Sequence, residues 1–171
     1  LKNYNTKYIL IDLPEANLMS AYYLKEHFPE KRFFLYSDYL ANPNKRKFDD
    51  FDIIVLPPWC KFEKDIKIDF FINTRSMMEM EISTIKNYFN LICTHISHGG
   101  FFLNINKYEK RVVGEKIRFH EYPYDSKWDV LISKTSFMQP QMHFLLTERK
   151  FDNYKNNITF EINKIKEIHK Q

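Results

Sequence analysis

The chain has 171 residues, 44% hydrophobic and 17% aromatic, with a formal charge of +4, enough apolar material for one sizeable core and a single predicted domain. Its lysines and arginines are mixed with aspartates and glutamates, and no zinc-finger, RNA-recognition or helix-turn-helix signature occurs, so no nucleic-acid partner is expected. Three glycines (Gly99, Gly100, Gly114) cannot build a glycine-rich phosphate loop, no apolar run approaches the ~20 residues of a membrane span, and Cys60 and Cys93 lie far apart without metal spacing; the expectation is a soluble, cytoplasmic protein with reduced thiols.

Residues 8–13 (YILIDL) have the pattern of a buried strand ending at Asp12 and Pro14, and residues 15–28 place Leu18, Tyr22, Leu24 and Phe28 at helical spacing. Pro29 stops that helix. Residues 32–36 (RFFLY) predict a second strand running into Ser37 and Asp38. The polar stretch 41–50, with Asn42, Pro43 and Asn44 at its turn, predicts a solvated loop carrying the cluster Lys45, Arg46, Lys47 beside Asp49 and Asp50. Residues 51–56 predict a third strand, closed by Pro57, Pro58 and Trp59.

In residues 68–80 (IDFFINTRSMMEM) an apolar run stops abruptly on polar residues. Phe70, Phe71 and Ile72 are apolar on consecutive positions, as in a parallel strand covered on both faces, and the run ends at Asn73, Thr74, Arg75 and Ser76. Strand ends of this kind are where open α/β sheets keep their ligands. Residues 78–97 predict an amphipathic helix with Met80, Ile82, Ile85, Tyr88, Phe89, Ile92 and Ile96 inward, and Gly99 and Gly100 suit a left-handed C-terminal cap. A strand at 101–105, a polar, aromatic-rich loop at 108–129 and two strands at 128–133 and 142–147 follow, and residues 151–171 predict a peripheral helix or tail. This order predicts an α/β fold, Rossmann-like, with a mostly parallel sheet and an antiparallel C-terminal edge hairpin; residues 1–150 form the sheet domain and 151–171 its helix or tail.

The segments IDLPEANLMSAYYL, FDIIVLPPW, IDFFINTRSMMEM, YFNLICTHISHGGFFLNIN and EYPYDSKWDVL together resemble the sugar O-methyltransferase family, over roughly residues 8–148. The resemblance implies the S-adenosylmethionine-dependent methyltransferase fold, with S-adenosylmethionine as cofactor and a sugar or glycan hydroxyl as acceptor, in surface polysaccharide or glycan biosynthesis. Such proteins begin with a strand and a glycine-rich turn that approaches the methionine end of the cofactor, and nothing before Tyr8 matches that element. The expectation is a chain that forms the carboxyl-terminal part of a longer domain. The alternative is a non-catalytic carbohydrate-binding or assembly module that kept the fold.

Asp12, at a strand end, can accept hydrogen bonds from both ribose hydroxyls of a nucleoside, or cap the following helix. Asp38 can accept the adenine amino group or be a turn aspartate, and Trp59 offers a flat face to adenine or a sugar, or is a core residue. With Asn73 these form the expected cofactor side. Methyl transfer needs an in-line acceptor oxygen and a base for its proton. Glu79 is the expected base, its pKa raised if Met77, Met78 and Met80 bury it, with Ser76 and Asn73 as hydrogen-bonding neighbours; alternatively it caps its own helix. His120 is the second candidate base, in a loop whose Tyr124 and Trp128 would stack on a sugar, or which is simply a packed surface loop. Asn104 and Asn106 point to one side of their strand, where one can meet the acceptor. His95 and His98 lie at the wrong end of that strand, and His143 reads as structural. No metal-ligand spacing occurs, although Asp38, Glu79, Asn104 and His120 could converge on a divalent ion.

Overall fold

The computed structural model describes residues 6–41, 48–63, 65–112, 115–151 and 157–168, so the predicted turn at Asn42 to Asn44, the cluster Lys45 to Lys47, and Gly114 lie outside the described residues. The chain divides into two compact units, residues 1–63 and 64–171.

In the first unit, β1 (Tyr8–Ile11), α1 (Pro14–His27), β2 (Phe33–Leu35), α2 (Tyr36–Ala41) and β3 (Ile53–Leu56) follow one another. The strands form a parallel sheet in the order β1-β3-β2, with Tyr8 and Phe33 both beside Ile53. All four residues of the central strand β3 are buried, which is why IIVL carries no polar residue. Ile53 and Val55 pack against Ala21, Leu24 and Phe28 of the α1 side, and the opposite side holds Phe34 against Phe48 and Phe51, ring centroids 5.2 and 5.0 Å away. Pro14 opens α1, where its missing N–H costs nothing. Tyr36 opens α2 instead of closing the strand expected at 32–36.

In the second unit, β4 (Ile68–Thr74), α3 (Ile82–His95), β5 (Ile96–Lys107), β6 (Glu109–Val112), β7 (Glu115–Arg118), β8 (Trp128–Thr135), β9 (Met142–Arg149) and α4 (Ile158–Ile168) build a sheet ordered β4-β5-β9-β8 with a separate β6-β7 ribbon. β4 and β5 are parallel, and β9 runs antiparallel to both β5 and β8. The expected class is therefore present: mixed α/β, with parallel strands first and an antiparallel hairpin at the carboxyl-terminal edge.

Ile85, Phe89 and Ile92 line one stripe of α3 at i, i+4 and i+7 and join Phe102, Trp128, Leu145, Ile158 and Ile165 in a single core. The last two belong to α4, so this helix is part of the core and not the peripheral element expected. Only one face of β4 joins this core. Phe71 packs inward, whereas Phe70 and Ile72 are 49% and 59% exposed, so the consecutive apolar run does not mark a strand covered on both sides.

The glycine pair also differs from its expected role. The helix predicted over 78–97 is shorter: a 3-10 turn (Met77–Glu79) precedes α3, which ends at His95 on an extended Ile96. Gly99 and Gly100 lie inside β5, where the register with β4 slips between Ile68 beside Ile96 and Phe70 beside Phe101. Gly99 has φ +73°, and a Cβ on Gly100 would stand 2.8 Å from Ile96 Cγ1 and 3.2 Å from the Asp69 carbonyl oxygen. The pair builds a β-bulge, not a helix cap. Likewise the predicted loop 108–129 contains the β6-β7 ribbon and a 3-10 turn, Phe119–Glu121. Among the described residues no helix is long and apolar enough to cross a membrane.

Candidate functional site

The three parallel strands of the first unit end on the residues singled out from sequence. Asp12 follows β1 and is exposed. Its Oδ1 accepts the Leu13 N–H (2.8 Å), and its second oxygen has no partner among the described residues. The helix cap position is held by Leu13 without any side-chain cap, so Asp12 does not cap α1. Asn17, buried one turn into α1, donates to the Asp12 carbonyl (2.8 Å) and fixes the strand-to-helix junction.

Asp38 lies in the first turn of α2, where it accepts the Leu35 N–H at 2.8 Å, the backward half of a capping box. Trp59 follows β3 and is 57% exposed, which excludes a core role. Its indole N–H donates to the Tyr36 hydroxyl (3.3 Å), with the rings edge-on at 6.2 Å, and Tyr39 stacks on Tyr36 at 6.1 Å. This aromatic corner at the ends of β2 and β3 leaves more than half of Trp59 exposed. Tyr36 and Tyr39 were not singled out from sequence, although an aromatic closing the RFFLY run was the available signal.

In the second unit, side-chain amides form a continuous chain at the carboxyl ends of β4 and β5. Asn73 sits beside Asn104 in the register. Asn106 Nδ2 donates to Asn104 Oδ1 (2.5 Å) and Asn73 Oδ1 (2.9 Å), and Asn106 Oδ1 accepts the Met78 N–H (3.1 Å). Asn73 also donates to Ser76 Oγ (2.6 Å) and accepts the Met77 N–H (3.2 Å), while Asn104 donates to the Tyr124 hydroxyl (3.0 Å). Asn104 and Asn106 do point to one side, but both are 0% exposed. Asn106 bonds the segment after β4, and Asn104 bonds Asn106 and Tyr124 instead of facing an open crevice, so both are positioning residues here.

That turn is conformationally costly. Arg75 has φ +63°, alone among the described non-glycine residues, a left-handed conformation that costs roughly 1–2 kcal/mol for a side chain of this kind. Its N–H donates to the Ile105 carbonyl at 2.8 Å, and the Asn73 bonds close the turn around it.

Glu79 turns outward while Met77 and Met78 are buried. Its side chain is 48% exposed and ion-paired with Lys110 of β6, so the expected burial among methionines is not found. Lys110 was not anticipated, because nothing in the sequence shows that a ribbon brings it to this turn. Trp128 is 0% exposed, with the Arg149 guanidinium 4.8 Å from its ring centroid; no face remains for a sugar, and the expected stacking platform is a core residue. Tyr124 packs edge-on to Phe89 at 4.8 Å, and burial pushes its hydroxyl pKa well above the usual tyrosine range.

His120 lies in the 3-10 turn between the buried Phe119 and Tyr122. His95 ends α3, and His98, near the start of β5, stacks on Phe151 at 5.3 Å. His143 is buried, its Nδ1 facing the Tyr108 hydroxyl (3.0 Å) and its Nε2 the Ser133 hydroxyl (2.9 Å), consistent with a structural residue. Among the described residues no group of three or more His, Cys, Asp or Glu side chains could hold a metal ion.

No protein-family model matches the chain, and no curated protein matches it. Among solved structures it is similar to a Sulfolobus solfataricus protein described as a putative type 11 methyltransferase, at 17% identity over 88% of each chain with a TM-score of 0.42. At that level the likeness assigns no role to any residue of this chain.

Proposed function

We propose that the chain is an S-adenosylmethionine-dependent O-methyltransferase acting on a sugar hydroxyl, in the cytoplasmic stage of surface polysaccharide or glycan biosynthesis. The observation that carries this reading is the rim of the first unit: the open Asp12 carboxylate follows β1, and the Trp59–Tyr36 corner follows the adjacent β3 and β2. An acid for ribose hydroxyls and an exposed indole for adenine, both at parallel strand ends, are what a nucleoside needs. The motifs IDLPEAN, LPPW and INTRSMMEM support the methyl-donor identity of that nucleoside.

The nucleoside half of S-adenosylmethionine fits these residues. Its methionine half finds no glycine-rich turn among the described residues. When bound, the cofactor supplies an electrophilic methyl group. Within the second unit taken by itself, the amide chain holds Asn73 and Ser76 in place, and Glu79 and His120 are the residues we assign, from their sequence segments, to take the hydroxyl proton. The exposed Trp59 ring also suits a non-catalytic sugar-binding module, and one experiment separates the two readings. Incubated with methyl-labelled S-adenosylmethionine and a panel of monosaccharides, the protein is expected to label a sugar. Failure to label any sugar, with sugar binding retained, would leave the binding module.

A further inference from the structure

The turn after β4 holds two polar groups that the amide chain positions but does not satisfy. Arg75 is exposed, and its guanidinium has no acidic or hydrogen-bonding partner among the described residues. Ser76 receives a hydrogen bond on its oxygen from Asn73 (2.6 Å), which leaves its own O–H proton to donate, with no acceptor for it among the described residues. Glu79, four positions on, is already paired with Lys110. The turn therefore presents a guanidinium without a partner among the described residues beside a hydroxyl donor.

The backbone makes this arrangement hard to dismiss as an ordinary surface arginine. Glycine or asparagine would adopt φ +63° at lower cost, yet arginine occupies the position and is locked there by the Ile105 carbonyl and the Asn73 side chain. Left-handed conformations at non-glycine residues persist where the surrounding bonds over-determine them, and they cluster at ligand sites. A guanidinium fork with an adjacent hydroxyl matches the paired oxygens of a carboxylate or a phosphate.

We propose that Arg75 and Ser76 bind the anionic group of an acidic sugar, a sugar carboxylate or sugar phosphate. This rests on the sugar-acceptor reading above and narrows it to a charged acceptor. Titration of the full chain with glucuronate, glucose 6-phosphate and glucose, followed by calorimetry, tests it. Both acidic sugars are expected to bind more tightly than glucose, and the tighter of the two identifies the anion. Arg75→Gly should weaken their binding at least tenfold while raising Tm by about 2–4 °C, because the strained backbone relaxes; Arg75→Lys should fall between. A rise in Tm with acidic-sugar affinity unchanged would mark Arg75 as a strained turn residue only and overturn the proposal, as would glucose binding as tightly as the acidic sugars. S-adenosylhomocysteine titrated into the same samples keeps the two claims apart. If it fails to bind while acidic-sugar binding still depends on Arg75, the methyltransferase reading falls and the anion site stands. If it binds while Arg75→Gly changes nothing, the reverse holds.

Discussion

Asn106→Ala is expected to lower the unfolding free energy of the 64–171 unit by about 3–5 kcal/mol. The side chain is fully buried and serves three partners: Asn104 Oδ1, Asn73 Oδ1 and the Met78 N–H. Alanine leaves two acceptors and one donor short of a partner in the interior, each costing about 1–3 kcal/mol, with a small cavity added. Asn73 keeps the Met77 N–H as a second partner, which places its share at the low end. Against a typical total of about 5–15 kcal/mol, such a loss is severe. With Trp59 replaced by Phe, Trp128 is the sole tryptophan of the chain, and its fluorescence reports urea unfolding of the core it belongs to. A loss below about 1 kcal/mol would mean that water or a rearranged turn satisfies the same groups. The effect also reaches the candidate site, because Asn106 holds the segment that carries Arg75, Ser76 and Glu79.

The second large effect is a loss of stability in acid traced to His143. Its imidazole is buried between the Tyr108 and Ser133 hydroxyls, and burial of the ring pushes its pKa down from 6.5 to about 4. Glu161 and Lys164 of α4 act on it in opposite directions. In the unfolded chain the ring protonates near its ordinary pKa, so between pH 6.5 and about 4 the unfolded state binds more protons than the folded state. Stability is then complete above pH 6.5 and falls with a slope approaching about 1.4 kcal/mol per pH unit, for a total of about 3 kcal/mol by pH 4. Subtracting the urea-derived stability profile of His143→Gln from that of the unmodified protein isolates this contribution from other titrating groups. A difference profile that stays flat from pH 7 to 4 would show that the ring is solvated or protonated in the folded state.

How much of this was legible in the sequence depends on whether the signal was local. YILID, IIVLPPW and the paired closing strands announced themselves through apolar runs and the residues that end them, and the antiparallel edge hairpin followed from the absence of a helix between 128–133 and 142–147. That Asp12 and Trp59 follow strands was legible because strand ends are visible as a change from apolar to polar residues. What failed was anything decided by pairing across the chain. The Gly99–Gly100 pair satisfies the rules for a helix cap as well as for a bulge, and only the register between β4 and β5 separates them. Trp128 looked like a sugar platform because its loop is polar, yet its pairing with Arg149 on β9 carries it into the core. The shelter that Met77, Met78 and Met80 would have to give Glu79 for a raised pKa does not form, because a 3-10 turn buries Met77 and Met78 and leaves Glu79 paired with Lys110, a contact 31 positions away in sequence. Phe70 and Ile72 show the same limit: composition alone does not reveal which face of a strand is covered.

If the strand ends of the first unit hold the nucleoside of the methyl donor with Asp12 on the ribose, as proposed, then cofactor affinity depends on the Asp12 carboxylate. Calorimetric titration of S-adenosylhomocysteine into the protein and into Asp12→Ala measures that dependence. Saturable binding at about micromolar Kd is expected for the unmodified protein, with a loss of at least tenfold, about 1.4 kcal/mol, in the variant. Equal affinity in the two proteins, or no heat of binding in either, would contradict it.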